Sequence, residues 1–315
     1  MINIKSKIYI AGHSGLVGSA IYRKLKSNGF KKLFVKSRRD LDLNDQNKVL
    51  SYLKKIKPNF IFIAAAKVGG VYANNTLKAE FIYNNLNIQN NLIHSAYLAG
   101  IKNLIFLGSS CIYSLNAKQP MKEKDILCGP LEKTNEPYAI AKIAGIKMCE
   151  SYNYQYGTNY RCLMPTNTFG QNDKYDTLNS HFIPSLIKKI YEIEKKNKNE
   201  ITLWGDGTPK REIIYVDDIA DACIYFMNKK TSHSLINIGT GKEDTIKGIA
   251  QLFLKTLIPE KKIQIKFDKS KPNGIKRKVL DTSLAKRYGW TAKNEIKKAI
   301  IDTYINFKLL KANSK

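Results

Sequence analysis

Long hydrophobic runs are missing from this chain of 315 residues. No apolar stretch reaches the roughly 20 residues that a membrane-crossing helix needs, so no membrane partner is expected. Met1 to Lys5 lead straight into a short apolar strand, so no cleaved leader is expected. Cysteine is scarce: five residues, at 111, 128, 149, 162 and 223, with no CxxC spacing. An odd count without motif spacing points to free thiols in a reducing cytoplasm. The four histidines, at 13, 94, 181 and 233, show no zinc-like spacing, and no metal is expected. Acidic residues are few, 26 against 53 Lys and Arg, for a net charge of +27. Such a balance can mark a nucleic-acid binder, but that footprint should be clustered. Here pairs such as Lys188-Lys189, Lys195-Lys196 and Lys261-Lys262 are spread along the chain. A solvated basic surface is the expectation, without a nucleic-acid partner and with a general pull on polyanionic ligands. Internal repeats and low-complexity linkers are also missing.

What is present is alternation. Apolar strands are expected over 7–11, 32–36, 60–64, 104–108 and 159–164. Helices are expected over 16–28, 46–56, 76–99 and 136–157. Strand–helix alternation argues for an α/β fold of Rossmann type, a doubly wound parallel sheet covered on both faces. The stretch between Pro165 and Pro184 begins a less regular half, expected to be a smaller mixed α/β substrate domain. Lys195–Glu200 reads as a solvated helix end, Asp217-Asp218 as the start of another helix, and Phe267–Asn273 as a strand leaving into a loop. The division is 1–168 with 213–240 returning to it as the cofactor domain, and 169–212 with 241–315 as the substrate domain.

Three motifs carry chemistry. The run Ile8-Tyr-Ile-Ala-Gly-His-Ser-Gly-Leu-Val-Gly18 places Gly12, Gly15 and Gly18 between a strand and a helix. Glycines let the backbone approach a pyrophosphate, and the helix start aims free N–H groups at it. The spacing is GxxGxxG, not the commoner GxGxxG; a ligand-free turn is the plain alternative. The second strand ends in Lys36, Arg38 and Arg39. An acidic residue there would hold a ribose 2′-hydroxyl, whereas these cations suit a 2′-phosphate, so NADP is preferred over NAD. The third is Tyr138 and Lys142, four residues apart and therefore on one helical face. A nearby ammonium is expected to lower the phenol pKa and ready it to protonate a carbonyl oxygen. Ser109, Ser110 and Cys111 follow the 104–108 strand, where ligands of open α/β sheets bind.

These motifs, with Ala64–Gly70, Leu107–Tyr113, Thr134–Gly145, Met164–Asn167, Ser180-His181 and Trp204–Glu212, give the chain its likeness. It resembles the extended short-chain dehydrogenase/reductase family, and within it the GDP-L-fucose synthases, NADPH-dependent epimerase-reductases of a GDP-4-keto-6-deoxy sugar. The resemblance implies that Ser109 holds the keto oxygen, Tyr138 protonates it, and Lys142 bonds the nicotinamide ribose. It implies that Cys111 and His181 serve 3,5-epimerisation. Cofactor contacts fall on Gly12, Ser14, Gly15, Leu16, Val17, Gly18, Ala65, Leu107, Gly108, Pro165 and Asn167. Sugar and nucleotide contacts fall on Ser110, Asn167, Lys189, Trp204, Arg211 and Asn273, with Arg211 suited to a diphosphate or, alternatively, to pairing with Asp217 or Asp218. It further implies a homodimer built on helices 76–99 and 136–157, to which Ile82, Leu86, Met148 and Tyr152 could contribute either interface or core.

The chain departs from the family at four places. Ser14 replaces a glycine-loop arginine, Lys189 an arginine and Asn273 an aspartate, and the segment Gly170–Thr177 lacks the usual Gly-Pro start. All but Ser14 fall in the sugar-facing half. The alternative is therefore a 4-keto reductase without an epimerase step, acting on a related GDP-deoxysugar such as a 6-deoxy-heptose. A 4,6-dehydratase would want carboxylates where Cys111 and Ile112 stand. A non-catalytic binding protein would have no use for the intact Ser109, Tyr138 and Lys142.

Overall fold

The computed structural model describes residues 2–175, 180–271 and 273–313. Its first half alternates as expected: β1 (Ile8–Ala11), α1 (Leu16–Ser27), β2 (Leu33–Phe34), α2 (Gln46–Ile56), β3 (Phe60–Ile63), α3 (Val71–Thr76), α4 (Lys78–Leu98), β4 (Asn103–Leu107), α5 (Glu136–Tyr156) and β5 (Asn159–Pro165). Then come β6 (Asn167–Phe169), α6 (Phe182–Lys196), β7 (Glu200–Trp204), β8 (Lys210–Tyr215), α7 (Val216–Asn228) and β9 (Leu235–Ile238). The chain closes with β10 (Glu243–Thr245), α8 (Ile246–Leu257), β11 (Gln264–Asp268), β12 (Arg277–Lys278), α9 (Ser283–Arg287) and α10 (Ile296–Ala312).

Six parallel strands form one sheet in the order β2-β1-β3-β4-β5-β9. β1, β3 and β9 are buried at every position, as strands covered on both faces must be. Successive side chains of β1 part to opposite faces. Ile8 and Ile10 join a core with residues of α1 and α7; Tyr9 and Ala11 join one with residues of α2 and α4. The chain order reverses between β1 and β3, and this is where an open α/β sheet leaves a crevice for a ligand. A second sheet joins β10, β8 and β12, with β6 also on β8, and β11 pairs with β7.

Local sequence explains most boundaries. Asp45 caps α2 by accepting from the Lys48 N–H at 3.0 Å. α5 has a proline in its first turn and ends at Gly157 in the left-handed conformation. Three expectations shift. β2 is cut to two paired residues because Ser37 and Asp40 bond each other's side chains and backbone, turning the chain away from the sheet edge. The helix expected over 76–99 runs over 78–98 as α4, and a short helix not expected, α3, ends at Thr76 just before Leu77, whose dihedrals are not helical. Lys195–Glu200 is not one helix end: α6 stops at Lys196, Asn197 turns left-handed, and Glu200 opens β7.

Candidate active site

The glycine loop sits at the switch point. Gly12 has φ +86°, and a side chain there would meet the Ala65 backbone at 2.6 Å. A side chain on Gly18 would overlap the Gly12 carbonyl. Only glycine permits this close passage of β1, α1 and the end of β3. Gly15 caps α1 with no side-chain bond, so the first N–H groups, at Leu16 and Val17, face outward beside Ser14. A Cβ on Gly15 would meet only the Gly12 carbonyl, at 3.5 Å, so it is the bare N-terminus of α1 at Gly15 that a pyrophosphate can approach. Lys36, Arg38 and Arg39 stand exposed just past β2, and none makes an ion pair among the described residues. Leu107 and Gly108 end β4, and Pro165 ends β5, both on the carboxyl edge of the sheet. Asn167 lies in β6, and its Nδ2 donates to the Glu212 carbonyl at 2.7 Å.

β4 delivers Ser109 in extended conformation, and a single helical turn, Ser110–Ile112, follows. The Cys111 N–H donates to Ser109 Oγ at 3.4 Å. α5 lies against this turn and presents Tyr138 and Lys142 to it. Lys142 is 3% exposed; its Nζ donates to the Leu107 carbonyl at 2.8 Å and lies 5.7 Å from the centre of the Tyr138 ring. The expected lowering of the Tyr138 pKa is not what the protein alone does. Burial pushes the phenol up, and Cys111 adds to the push. Burial also pushes Lys142 down to about 8. Desolvation outweighs the pair attraction because the ammonium is turned to the Leu107 carbonyl. The phenol is thus held in its protonated form.

Cys111 is 8% exposed. Burial raises its thiol pKa, while Lys278 first, then Ser109 and Lys142, pull it back. His181 caps the start of α6 and keeps an exposed ring. The surrounding protein holds its imidazole below the usual range, and Lys278 pushes the same way. Asp176 and Thr177 of the departing segment lie outside the described residues.

Lys278 was missed in the sequence, as were Asn135 and Glu132. Lys278 sits in the run Lys276-Arg277-Lys278, indistinguishable from the other lysines, on a strand of two residues. Asn135 stands within the quoted Thr134–Gly145 motif, and its Oδ1 is buried without a partner. Cys111, Glu132, Asn135 and Lys278 share a small cavity of about 20 Å³.

The remaining sugar-side residues gather on β7 and β8. Arg211 donates through Nη1 to the Ile275 carbonyl at 2.6 Å and makes no ion pair among the described residues. It does not pair with the helix-start acids: Asp217 binds Arg23 at 3.0 Å, and Asp218 accepts from Lys293 and Asn294. Trp204 ends β7, 53% exposed, with Lys271 Nζ 5.9 Å from its ring centre. Asn273 bonds both the N–H and the carboxylate of Asp206, and so braces the turn after Trp204. Lys189 Nζ donates to the Thr202 carbonyl at 2.6 Å, its charge disfavoured by burial. A glycine loop at a switch point, a serine–tyrosine–lysine set after β4 and on α5, and an arginine on β8 without an ion pair among the described residues describe a dinucleotide-dependent enzyme of anionic substrates.

Comparison with known proteins agrees. Residues 8–239 match the NAD dependent epimerase/dehydratase family, and the chain belongs to that family. Within it, the chain groups with the GDP-L-fucose synthases. It is 47% identical over 304 residues to putative GDP-L-fucose synthase 2 of Arabidopsis thaliana, covering 96% of this chain and 92% of that one. It is 45% identical over 309 residues to GDP-L-fucose synthase of Escherichia coli K12, covering 95% and 96%. Among solved structures, a GDP-mannoheptose C4 reductase from Campylobacter jejuni with NADP bound superposes with a TM-score of 0.89 at 35% identity, covering 98% of this chain and 100% of that one.

Proposed function

We propose that this protein reduces the 4-keto group of a GDP-4-keto-6-deoxy sugar with NADPH and also epimerises carbons 3 and 5. The observation that carries this reading is the buried Lys142, pinned to the Leu107 carbonyl four residues past Tyr138 and beside Ser109. Bound NADPH supplies the hydride. As charge grows on the keto oxygen, the protonated Tyr138 gives it a proton and Ser109 Oγ donates a hydrogen bond. The carbonyl thereby becomes an alcohol. Lys142, with its own proton easily lost, is suited to resupply Tyr138. Carbons 3 and 5 flank the ketone, so their protons are acidic. One of Cys111 and His181 removes such a proton and the other returns one from the opposite face. Ser14, Gly15, Leu16, Val17, Arg38 and Arg39 hold the cofactor, with Ala65, Leu107, Gly108, Pro165 and Asn167 around it. Trp204, Arg211, Lys189 and Asn273 hold the nucleotide sugar, with Ser110, Asn167 and His181 near the sugar.

We infer that residues 1–168 with 213–240 bind the cofactor, and that 169–212 with 241–315 bind the sugar nucleotide. β9 and α7 packing onto the β1–β5 layer support this division. We further infer a cytoplasmic homodimer. Half-buried Ile82, Leu86, Met148 and Tyr152, with exposed Tyr83 and Ile140 nearby, support an interface on α4 and α5. No helix among the described residues is long and apolar enough to cross a membrane.

The test is incubation with NADPH and GDP-4-keto-6-deoxy-mannose in deuterated water, with NMR of the product. Both activities require GDP-L-fucose carrying deuterium at carbons 3 and 5. The likeness to the mannoheptose C4 reductase favours a second reading, reduction alone on a related GDP-deoxysugar. Oxidation of NADPH without deuterium uptake would establish it and discard the first.

A further inference from the structure

Lys278 occupies an unusual position for a lysine in so basic a chain. Its strand β12 runs parallel to β8, with Lys278 in register with Arg211. Two cations therefore lie side by side on adjacent strands. The preceding Arg277 is neutralised by Glu243 through two contacts of 2.8 Å. Lys278 makes no ion pair among the described residues, although it is half-buried. The nearest acid in its cavity, Glu132, already accepts from the Thr134 N–H and hydroxyl and from the Asn135 N–H. The small cavity joins the Lys278 side chain to Cys111.

We propose that Lys278 is a positioning residue that acts through Cys111, as the counter-ion of the Cys111 thiolate. A partly buried cation without an ion-pair partner is costly, and a thiolate across a small cavity relieves that cost. The thiolate in turn is the form able to take a proton from carbon. The proton leaving the sugar then ends on Cys111 Sγ, and the electron pair stays on the substrate as its enolate. Lys278 is the strongest of the groups that oppose the rise of the Cys111 pKa. The titratable groups around this pair are Tyr138 and Lys142 on α5, Glu132 ahead of α5, Arg211 on β8, Arg277 beside Lys278, and His181 at the start of α6. Of these, Lys142 acts on Cys111 in the same sense but more weakly, and it is turned to the Leu107 carbonyl.

The consequence for epimerisation rests on the proposed function; the pairing itself does not. The experiment is alkylation of the full chain, loaded with NADP, by iodoacetamide across pH, with Cys111 followed by mass spectrometry. Thiolate displaces iodide, so the rate reports the ionised fraction. In Lys278→Met the profile should move up by about one pH unit, so that Cys111 reacts roughly tenfold more slowly at neutral pH. Lys278→Arg should restore the profile to within about threefold, because the charge is retained. Exposed Cys128 serves as an internal control whose rate stays constant. An unchanged Cys111 profile in a folded Lys278→Met, or failure of Lys278→Arg to restore it, would overturn the pairing. Solvent deuterium uptake by the keto sugar is measured on the same variants. If the unaltered protein takes up none, the epimerase reading falls, while the alkylation profile, which involves no sugar, still decides the pairing.

Discussion

The corner made by β4 and α5 and the corner made by β8 and β12 meet at one small cavity but are built differently. In the first, long regular elements hold the groups: Tyr138 and Lys142 share one helical face, and the β4 carbonyl edge anchors the lysine. Burial there works against charge, pushing Lys142 down to about 8 and Tyr138 up. In the second, the start of β8 carries Arg211 and the two-residue β12 carries Lys278, two cations that make no ion pair among the described residues. The contrast teaches a division of labour. Under the proposed function, the first corner keeps a proton on a phenol for a carbonyl oxygen. The second keeps positive charge for an anionic ligand.

Breaking the first corner should have the largest effect. Tyr138→Phe keeps the ring but loses the proton, and turnover should fall by about 10²–10⁴-fold with NADPH affinity retained, as stopped-flow oxidation and cofactor titration would read. Next is the cofactor's phosphate. Replacing Arg38 and Arg39 with serine should raise the KM for NADPH by about 10–100-fold and leave that for NADH nearly unchanged, because only the 2′-phosphate loses charge-assisted bonds. An equal loss with both cofactors would mean the arginines serve the fold instead.

A change in the second corner should be smaller and of a different kind. Arg211→Lys keeps the charge but not the paired geometry, so KM for the GDP-sugar should rise roughly tenfold at constant kcat. A fall in kcat instead would blur the division between the corners. The smallest effect sharpens the account of burial. Folded Lys142 binds its proton less tightly than unfolded lysine, so between about pH 8 and 10 the unfolded chain holds more protons. This residue's contribution to stability therefore rises with pH across that window. Urea denaturation of the unaltered chain and of Lys142→Met should show the unaltered chain gaining stability relative to the variant from pH 8 to 10; a constant difference would contradict the burial effect.

The two corners also differed in how much could be read from residues alone. β1, β3, β4, β5, α2 and α5 were legible within a residue or two, because buried parallel strands are continuously apolar and the helices carry caps such as Asp45 and Gly157. Tyr138 and Lys142 were legible because a helix fixes their spacing, and Ser109 because it follows a continuously apolar strand. The direction of the Tyr138 shift was not, since charge pairing is visible in spacing whereas desolvation depends on what packs around the ring. Lys278 was hidden for another reason. Its meaning comes from lying opposite Arg211 and across a cavity from Cys111, and these contacts bridge more than 60 residues of chain. The break at Leu77 and the shortened β2 likewise came from local side-chain and dihedral competition that periodicity does not record.

The most direct test of the central claim follows the hydride itself. The protein would be given NADPH deuterated at the transferring position, with GDP-4-keto-6-deoxy-mannose in ordinary water, and the product examined by NMR. The account predicts deuterium at carbon 4 of the product, in step with NADPH oxidation, and its loss in Tyr138→Phe. NADPH oxidation that leaves the keto sugar unchanged, or a product without deuterium at carbon 4, would contradict it.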